Sequence, residues 1–374
     1  MTTGRPDRPA PPTDHPRVMV VGVGLIGASI GSALTARGWP VHLRDAKSSH
    51  ARVAETLGSG SLTPPPVEHV DLVVVAVPPR ALSVVVREAL ETYPNATVTD
   101  VGSVKAEVLA TVWGHRDLHR YVGSHPMAGT QHSGPTGARG DLFADRTWVI
   151  TPHRRSDPDA VRAVTALALA CGARTVTMDV DDHDAAVARV SHLPHLMSVL
   201  TAGHLTTVGE QDLALAGPGL RDVTRIAGSD PGLWEQILTA NATAVLAELQ
   251  QVRDDLAALI GAIEQGAATP PDGHRDAAAL RTRLARGVAG TRRIPGKHGA
   301  PSVAYRQVVI EIPDAPGALA RLFADVDRAG VNVEDVTIDH DQNRQVGYLA
   351  LSVEPGAAAG LSDLMTAQGW DVQP

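Results

Sequence analysis

The chain has 374 residues, of which 43% are hydrophobic and 20% charged, so it is long enough for two or three soluble domains. Its formal net charge of −8 argues against a nucleic-acid partner held by phosphate contacts. The sequence has no run of 18 apolar residues, so no membrane span is predicted. The Pro-rich residues 1–16 contain no apolar signal-peptide core. We interpret residues 1–16 as a disordered tail and expect a cytoplasmic protein.

A Gly-rich turn follows the first predicted strand, 17–22, and precedes an apolar helical run. Such a turn brings backbone amides and a helix N-terminus to the pyrophosphate of a dinucleotide. Asp45 closes the second strand, where a carboxylate binds ribose hydroxyls and repels a 2′-phosphate. The pattern therefore predicts NAD rather than NADP, although Arg44 and Lys47 flank Asp45 and weaken that preference. The residues of the turn are Gly22, Gly24, Leu25, Ile26 and Gly27.

Strands and helices then alternate, which predicts a Rossmann-type doubly wound α/β domain over residues 17–179. The continuous apolar run at 71–77 is typical of a strand buried on both faces of a parallel sheet. The single cysteine, Cys171, lies in an apolar helical run, and we expect a buried hydrophobic residue rather than a nucleophile. The other predicted strands are 40–45, 97–101, 121–123, 148–151 and 175–178.

Two polar segments follow predicted strands, at the edge of the sheet where such folds bind ligands. In the first, "DVGSVK", Ser103 either approaches the nicotinamide side of the site or caps the next helix. In the second, "VGSHPMAGTQHSG", small and polar residues are too dense to build a core, and Pro126 restricts the backbone next to His125. Both segments are candidate substrate loops.

Residues 180–286 show almost only helical periodicity and are predicted to form an all-helical domain, followed by a linker at 287–304. In "SHLPH", His192 and His195 share a helix face and are either core residues or site residues. Their spacing permits a metal site, but no third ligand is evident, and we expect no metal. Arg221 and Arg225 are four residues apart, so either could bind a carboxylate, and spacing alone does not choose between them.

The final residues, 305–374, alternate strand and helix patterns in the order βαββαβ. This order predicts a ferredoxin-like domain. Its first helix follows a "PDAPG" turn that ends at Gly317, and Asn332 lies early in the second predicted strand.

Five motifs, in this order, resemble those of the prephenate/arogenate dehydrogenases of tyrosine biosynthesis: "GVGLIG", "DVGSVK", "GSHPMAGTQHSG", "SHLPH" and "RDVTRIAGSDPGLW". The likeness covers nearly the whole chain from Arg17. The last domain resembles the ACT module, which senses amino acids in some members of this family. The resemblance implies NAD-dependent oxidative decarboxylation, a helical domain that joins two subunits into a homodimer, and feedback regulation by tyrosine through Gly317 and Asn332.

The resemblance also implies roles for individual residues. His125 would accept a hydrogen bond from the ring hydroxyl of the substrate as its neutral imidazole, and Ser103 would help to hold that hydroxyl. Arg225 would bind a carboxylate and His195 a second polar group, with His192 as structural support. Two further residues, Thr130 and Gln131, would line the same pocket.

The neutral Gln131 favours prephenate, which carries a keto group, over arogenate, which carries an ammonium at that position. Arogenate stays the alternative substrate. Two other functions are a different small-acid dehydrogenase of the same fold and a catalytically silent tyrosine sensor.

Overall fold

The computed structural model describes residues 15–129, 134–267, 277–294, 305–340 and 346–373. The chain divides into two compact units, Met1–Leu256 and Ala257–Pro374. None of the helices in the described ranges is long and apolar enough to cross a membrane.

A four-stranded parallel sheet with the order β2-β1-β3-β4 forms the first part of the N-terminal unit. Helices pack on both faces of this sheet, and two aliphatic clusters fill the spaces between. Strand β3 is buried along its whole length, as its apolar run predicts. The elements are β1 (Val18–Val21), α1 (Leu25–Thr35), β2 (Val41–Arg44), α2 (Ser48–Thr56), β3 (Leu72–Val75), α3 (Pro79–Thr92) and β4 (Thr97–Asp100).

Three more strands, in the order β5-β6-β7, form a second small sheet, and a parallel bridge between Val98 and Tyr121 links the two sheets. Strand β5 runs antiparallel to β6, whereas β6 and β7 are parallel to each other. The α/β fold is confirmed, and β6 and β7 run opposite to the other strands of the unit. The strand predicted at 121–123 begins at Gly123 and extends through His125. The elements are α4 (Ala106–Val112), β5 (Gly123–Pro126), β6 (Thr147–Thr151), α5 (Pro158–Ala170) and β7 (Arg174–Thr177).

Cys171 directly follows α5 as its C-terminal cap and lies inside this core. Its side chain is buried, and burial raises the pKa of the thiol to about 12. The prediction of a small hydrophobic core residue is confirmed, because a thiol that stays protonated is a poor nucleophile.

Helices and short helical turns dominate residues 180–267, as the helical periodicity of this region predicts. Helices α6 and α7 form one continuous rod that contains a π turn at Ala188–His192. The "SDPG" segment begins α10, and its Asp230 caps this helix, since the Asp230 carboxylate accepts a hydrogen bond from Gly232 N at 2.8 Å. The helices are α6 (Val180–Val187), α7 (Leu193–His204), α8 (Glu210–Leu213), α9 (Pro218–Thr224), α10 (Pro231–Ala240) and α11 (Ala242–Ala267).

The C-terminal unit contains an antiparallel sheet with the order β11-β8-β10-β9, and its βαββαβ order is the predicted one. Its core includes the fully buried Ile310, Leu349 and Leu361. The helix before this sheet, α12, ends at Thr291, so the first residues of the predicted linker 287–304 are helical. The elements are α12 (Ala278–Thr291), β8 (Arg306–Pro313), α13 (Ala318–Arg328), β9 (Val333–His340), β10 (Val346–Val353), α14 (Pro355–Ala367) and β11 (Asp371–Gln373).

Candidate active site

Each of the three glycines of the first turn is required for a different structural reason. Gly22 has φ +93°, and a Cβ there would lie 2.5 Å from the carbonyl oxygen of Ala76. A Cβ on Gly27 would overlap the carbonyl oxygen of Gly22, so both residues serve close backbone packing. Gly24, at the N-terminus of α1, has no atom within 4 Å of its Cβ position. The open space at Gly24, beside unpaired helix amides, fits a dinucleotide phosphate.

Asp45 lies at the end of β2 and is bound on both carboxylate oxygens. Oδ2 accepts a hydrogen bond from Val23 N at 2.7 Å, and Oδ1 accepts one from Lys47 N at 2.7 Å. The carboxylate therefore fixes the glycine turn against the second strand and places its negative charge at that end of the site. The exposed side chains of Arg44 and Lys47 stand beside it.

One cavity of about 930 Å³ joins the glycine turn to the two candidate substrate loops. Gly22, Gly24, Leu25, Ile26 and Asp45 line it together with Ser103 and His125. The structure thus brings the predicted cofactor residues and both predicted catalytic residues to one site. Gly27 is not part of the lining and lies buried behind the turn.

Ser103 does not cap the helix that follows it. Helix α4 begins at Ala106, and its first amides are capped by a residue distant in sequence. The carboxylate of Asp184, on α6, accepts hydrogen bonds from Lys105 N and Ala106 N, each at 2.9 Å. The capping interpretation of Ser103 is therefore wrong, and its half-buried side chain lines the cavity.

His125 is the end of a chain of hydrogen bonds. Its Nδ1 lies 3.0 Å from Nε2 of the fully buried His183, whose Nδ1 lies 2.8 Å from Oδ1 of Asp184. Burial, and then the neighbouring His183, Lys105 and His192, hold the pKa of His125 well below its usual range. The imidazole is therefore neutral at neutral pH, as a hydrogen-bond acceptor requires.

Asp184 stays ionised in this arrangement. Burial alone would raise the pKa of its carboxyl group. The hydrogen bonds from His183, Ala106 N and Lys105 N outweigh burial and lower that pKa. Asp184 is thus an anion that joins α6 to the start of α4 and to the histidine pair.

A buried ion pair lies under the two candidate substrate loops. Lys105 is 1% exposed and Asp100 is fully buried, and the Lys105 ammonium is paired with the Asp100 carboxylate. The same ammonium donates to the Ser124 carbonyl at 2.8 Å, and Tyr121 donates its hydroxyl to Asp100 at 2.7 Å. Because the pair sits between the turn that carries Ser103 and the strand that carries His125, it fixes their relative position.

The two "SHLPH" histidines have separate environments. Nδ1 of the buried His192 lies 3.3 Å from the side-chain amide of Asn241, which also donates to the Asp184 carbonyl at 2.8 Å. His195 stacks on Trp234 with 3.5 Å between ring centroids. Burial lowers the pKa of both histidines. Neither belongs to the described lining of the cavity.

The remaining predicted residues are more dispersed. Arg225 is exposed at the start of a 3₁₀ turn, and neither it nor Arg221 is among the described residues that line the cavity. Thr130 and Gln131 lie outside the described residues. In the C-terminal unit, Gly317 has φ +86° at the start of α13, and the exposed Asn332 directly precedes β9. Within the described ranges, no group of three or more acidic, histidine or cysteine side chains could hold a metal ion.

Sequence reasoning missed four of the buried groups that support this site, namely Asp100, Lys105, His183 and Asp184. Asp100 and Lys105 stand in the quoted "DVGSVK" motif, where only Ser103 was considered. The adjacent His183 and Asp184 lie in the acidic run "DVDDHDAA", whose composition resembles that of a solvated helix start.

Comparisons with known proteins place the chain in a family. Two family models match the chain: the prephenate dehydrogenase nucleotide-binding domain over residues 30–177, and the prephenate dehydrogenase dimerization domain over residues 179–270. The chain is 34% identical to the probable prephenate dehydrogenase NovF of Streptomyces niveus, over 94% of this chain and 98% of that one.

Two solved structures share the fold of about three quarters of the chain. The Synechocystis arogenate dehydrogenase is 28% identical with a TM-score of 0.61, and the match covers 74% of this chain and 98% of that one. The prephenate dehydrogenase from A. aeolicus in complex with hydroxyphenyl propionate and NAD⁺ is 26% identical with a TM-score of 0.67, over 75% and 99%. The two family models end before the C-terminal βαββαβ unit.

Proposed function

The chain belongs to the prephenate dehydrogenase family, and on that premise we propose that it converts prephenate and NAD⁺ to 4-hydroxyphenylpyruvate, carbon dioxide and NADH in tyrosine biosynthesis. The observation that carries this proposal is the single cavity in which the glycine turn, Ser103 and His125 meet. A dinucleotide on the turn would extend toward the two polar side chains. The low pKa of His125 supports its role as acceptor.

The residues of the chain have defined tasks in this reaction. NAD, held by the glycine turn and Asp45, supplies the acceptor for the hydride that leaves the hydroxyl-bearing ring carbon. His125 accepts a hydrogen bond from the ring hydroxyl and stabilises the positive charge that develops there as the hydride leaves. Ser103 orients the same hydroxyl. Carbon dioxide leaves the opposite ring carbon, and the electron pair of the broken carbon–carbon bond completes the aromatic ring.

Substrate anchoring is assigned to the helical region. Arg225 binds a carboxylate of the substrate through its exposed guanidinium, and His195 provides a second polar contact. The packing of α7 against the 3₁₀ turn Arg225–Gly228 supports this pairing, since it brings the two elements together. Thr130 and Gln131 complete the pocket from the "MAGTQHSG" segment.

The preferred substrate is prephenate, because Gln131 can donate a hydrogen bond to a keto oxygen but offers no charge to an ammonium. The likeness to the arogenate dehydrogenase of Synechocystis keeps arogenate as the alternative. Catalytic efficiency on both substrates, for the wild type and Gln131→Glu, decides between them. A wild type that prefers arogenate, or a Glu variant without a shift toward it, would contradict this assignment.

The central experiment is NADH formation with prephenate and NAD⁺. His125→Asn should bind both reactants almost normally and lose turnover by roughly a hundredfold or more, the usual range for a lost acid–base group. His119→Asn, at an exposed histidine of the same domain, is the matched control and should match the wild type. Tyrosine binding without NADH formation from either substrate would instead support the silent sensor.

We also propose a homodimer formed through the helical region. Its described helices leave large apolar side chains in solvent, including Val190 (67% exposed), Leu200 (64%) and Leu215 (85%). Such exposure is unusual for a monomer and supports the role that the dimerization-domain match suggests. Light scattering during size exclusion should give twice the mass of the chain; a monomeric mass at micromolar concentration would contradict the dimer.

Regulation by tyrosine is proposed for the ACT-like residues 305–374. Gly317 gives the chain a left-handed turn into α13, and Asn332 presents an exposed amide just before β9, so both can offer polar groups to an amino acid. Asn332→Ala should keep basal turnover and raise the tyrosine concentration for half-inhibition. Inhibition that is unchanged in this variant and in a chain ending near Pro301 would place the effect at the active site.

A further inference from the structure

The proton positions in the His125–His183–Asp184 chain can be assigned from its geometry. Asp184 accepts three hydrogen bonds, from Lys105 N, Ala106 N and His183 Nδ1. An ionised carboxylate carries no proton, so Nδ1 of His183 must carry the hydrogen in its bond to Asp184. The Nε2 atom of a neutral His183 then has no hydrogen.

The second hydrogen bond of the chain is fixed by the first. Nε2 of His183 and Nδ1 of His125 are 3.0 Å apart, and one of them must donate. Because Nε2 of His183 is bare, Nδ1 of His125 carries the hydrogen. The opposite assignment needs a doubly protonated His183, which is a cation with no solvent exposure in a site that already holds the Lys105 ammonium.

We infer that His183 is a positioning residue that, together with Asp184, fixes His125 in the tautomer whose Nε2 atom has a free lone pair. His125 lines the cavity. Among the described residues, its ring hydrogen-bonds through Nδ1 to His183, and none bonds its Nε2. That atom is therefore the acceptor offered to a ligand. With the other tautomer, the same nitrogen would be a donor and could not accept a proton from a hydroxyl.

The residues involved come from different parts of the N-terminal unit. His125 lies on β5, whereas His183 and Asp184 lie at the start of the helical region on α6. Asp184 also caps α4, so the hydrogen bonds that dock α6 are the ones that set the tautomer. The charged and titratable groups that face His125 are His183 on α6, Lys105 before α4 and His192 in the π turn.

NMR of isotope-labelled histidine ring nitrogens tests the inference without any substrate, because it distinguishes the two neutral tautomers directly. The His125 signals are assigned by their absence from His125→Asn. The wild type should show His125 with its proton on Nδ1, and His183→Phe should move that proton to Nε2. His153→Phe, a control at another hydrogen-bonded histidine, should leave the His125 signals unchanged.

A wild-type His125 with its proton on Nε2 would overturn the inference, even if no His183 variant folds. So would a His183→Phe protein that keeps the proton on Nδ1. The spectra decide this question whether or not the protein oxidises prephenate, so failure of the proposed function is a separate result.

The kinetic consequence rests on the proposed function. His183→Phe should lower kcat by roughly 10- to 100-fold, because losing a complete acid–base group costs about 10²–10⁴ and a positioning residue contributes only part of that. The KM for NAD should stay within about twofold of the wild-type value. His183→Gln, whose side-chain oxygen can still accept from Nδ1, should keep more turnover than His183→Phe. Equal losses in the two variants would assign His183 to packing alone.

Discussion

Replacing Lys105 with methionine tests whether the buried ion pair supports the active site. The change removes the ammonium but keeps a chain of similar length, and it leaves the Asp100 carboxylate fully buried with only Tyr121 and Gly102 as hydrogen-bond donors among the described residues. Breaking one partner of a buried pair costs about 3–5 kcal/mol. For a unit of this size, the unfolding midpoint should fall by roughly 6–20 °C.

A double-mutant cycle with Asp100→Asn separates this cost from lost packing. Asparagine keeps one oxygen for the Gly102 amide, its NH2 group can donate to the Tyr121 hydroxyl oxygen, and it needs no counter-charge. The double variant should therefore recover at least half of the lost stability. Arg116→Met is the matched control, because its partner Asp117 forms an exposed pair in which the Arg116 side chain is 90% exposed. It should cost about 0–1 kcal/mol.

The same variant changes the pH dependence of turnover. Lys105 contributes to the low pKa of His125, after burial and His183, so its removal should raise that pKa. His125 would then become protonated at a higher pH, and the acidic limb of kcat/KM should move toward neutral pH. A loss of less than about 1 kcal/mol, a strictly additive cycle, or an unmoved acidic limb would refute the role assigned to the pair.

Three further changes address the cofactor, the substrate anchor and stability. Asp45→Asn should raise the KM for NAD and reduce the enzyme's preference for NAD over NADP by roughly tenfold, because the 2′-phosphate of NADP is no longer repelled by a carboxylate. Steady-state kinetics with both cofactors measure this change. Arg225→Ala should raise the KM for prephenate by roughly 10- to 100-fold with a smaller change in kcat. Arg221→Ala is its control, and the reverse pattern would move the anchor to Arg221. Burial lowers the pKa of His192 to about 4. As pH falls below about 6.5, this histidine is protonated in the unfolded chain but not in the folded one, which favours unfolding. The free energy of unfolding, measured by thermal unfolding, should therefore fall by about 2 kcal/mol between pH 7 and pH 5 because of this residue. In His192→Gln this part of the pH dependence should be absent.

Local signals predicted most of the fold. The glycine turn, the buried run of β3 and the strand at 306–313 each lie where periodicity and turn residues indicate, since those patterns depend on a few neighbouring residues. The boundaries of β5 were less predictable. Its residues 123–126, "GSHP", have no β-branched side chain, and they form a strand because β6 offers a pairing edge.

Local patterns predicted part of the candidate site, and tertiary contacts determine the rest. Ser103 follows β4, and His125 lies near the end of β5, which begins just after the parallel bridge from Tyr121 to β4, so topology brings both residues to the glycine turn. No local pattern could indicate that Asp184 would cap a helix 78 residues earlier in the chain. The Ser103 cap was therefore a reasonable local interpretation that a tertiary contact displaced.

The π turn explains why helical periodicity did not predict that His183 and His192 would lie near each other. In an unbroken α-helix, nine residues at about 100° each would put His183 and His192 on opposite faces. Pro194 has no amide hydrogen for the Val190 carbonyl, and the preceding turn widens to the π geometry at Ala188–His192. One extra residue in that turn rotates the rest of the helix by roughly a quarter turn. His192 therefore no longer lies on the face opposite His183 and is closer to the His183 side. The shared partner Asn241, which bonds both the Asp184 carbonyl and His192, is the result. A proline two residues after a histidine thus decides which side chains surround His125, and the helical repeat alone gives the wrong face.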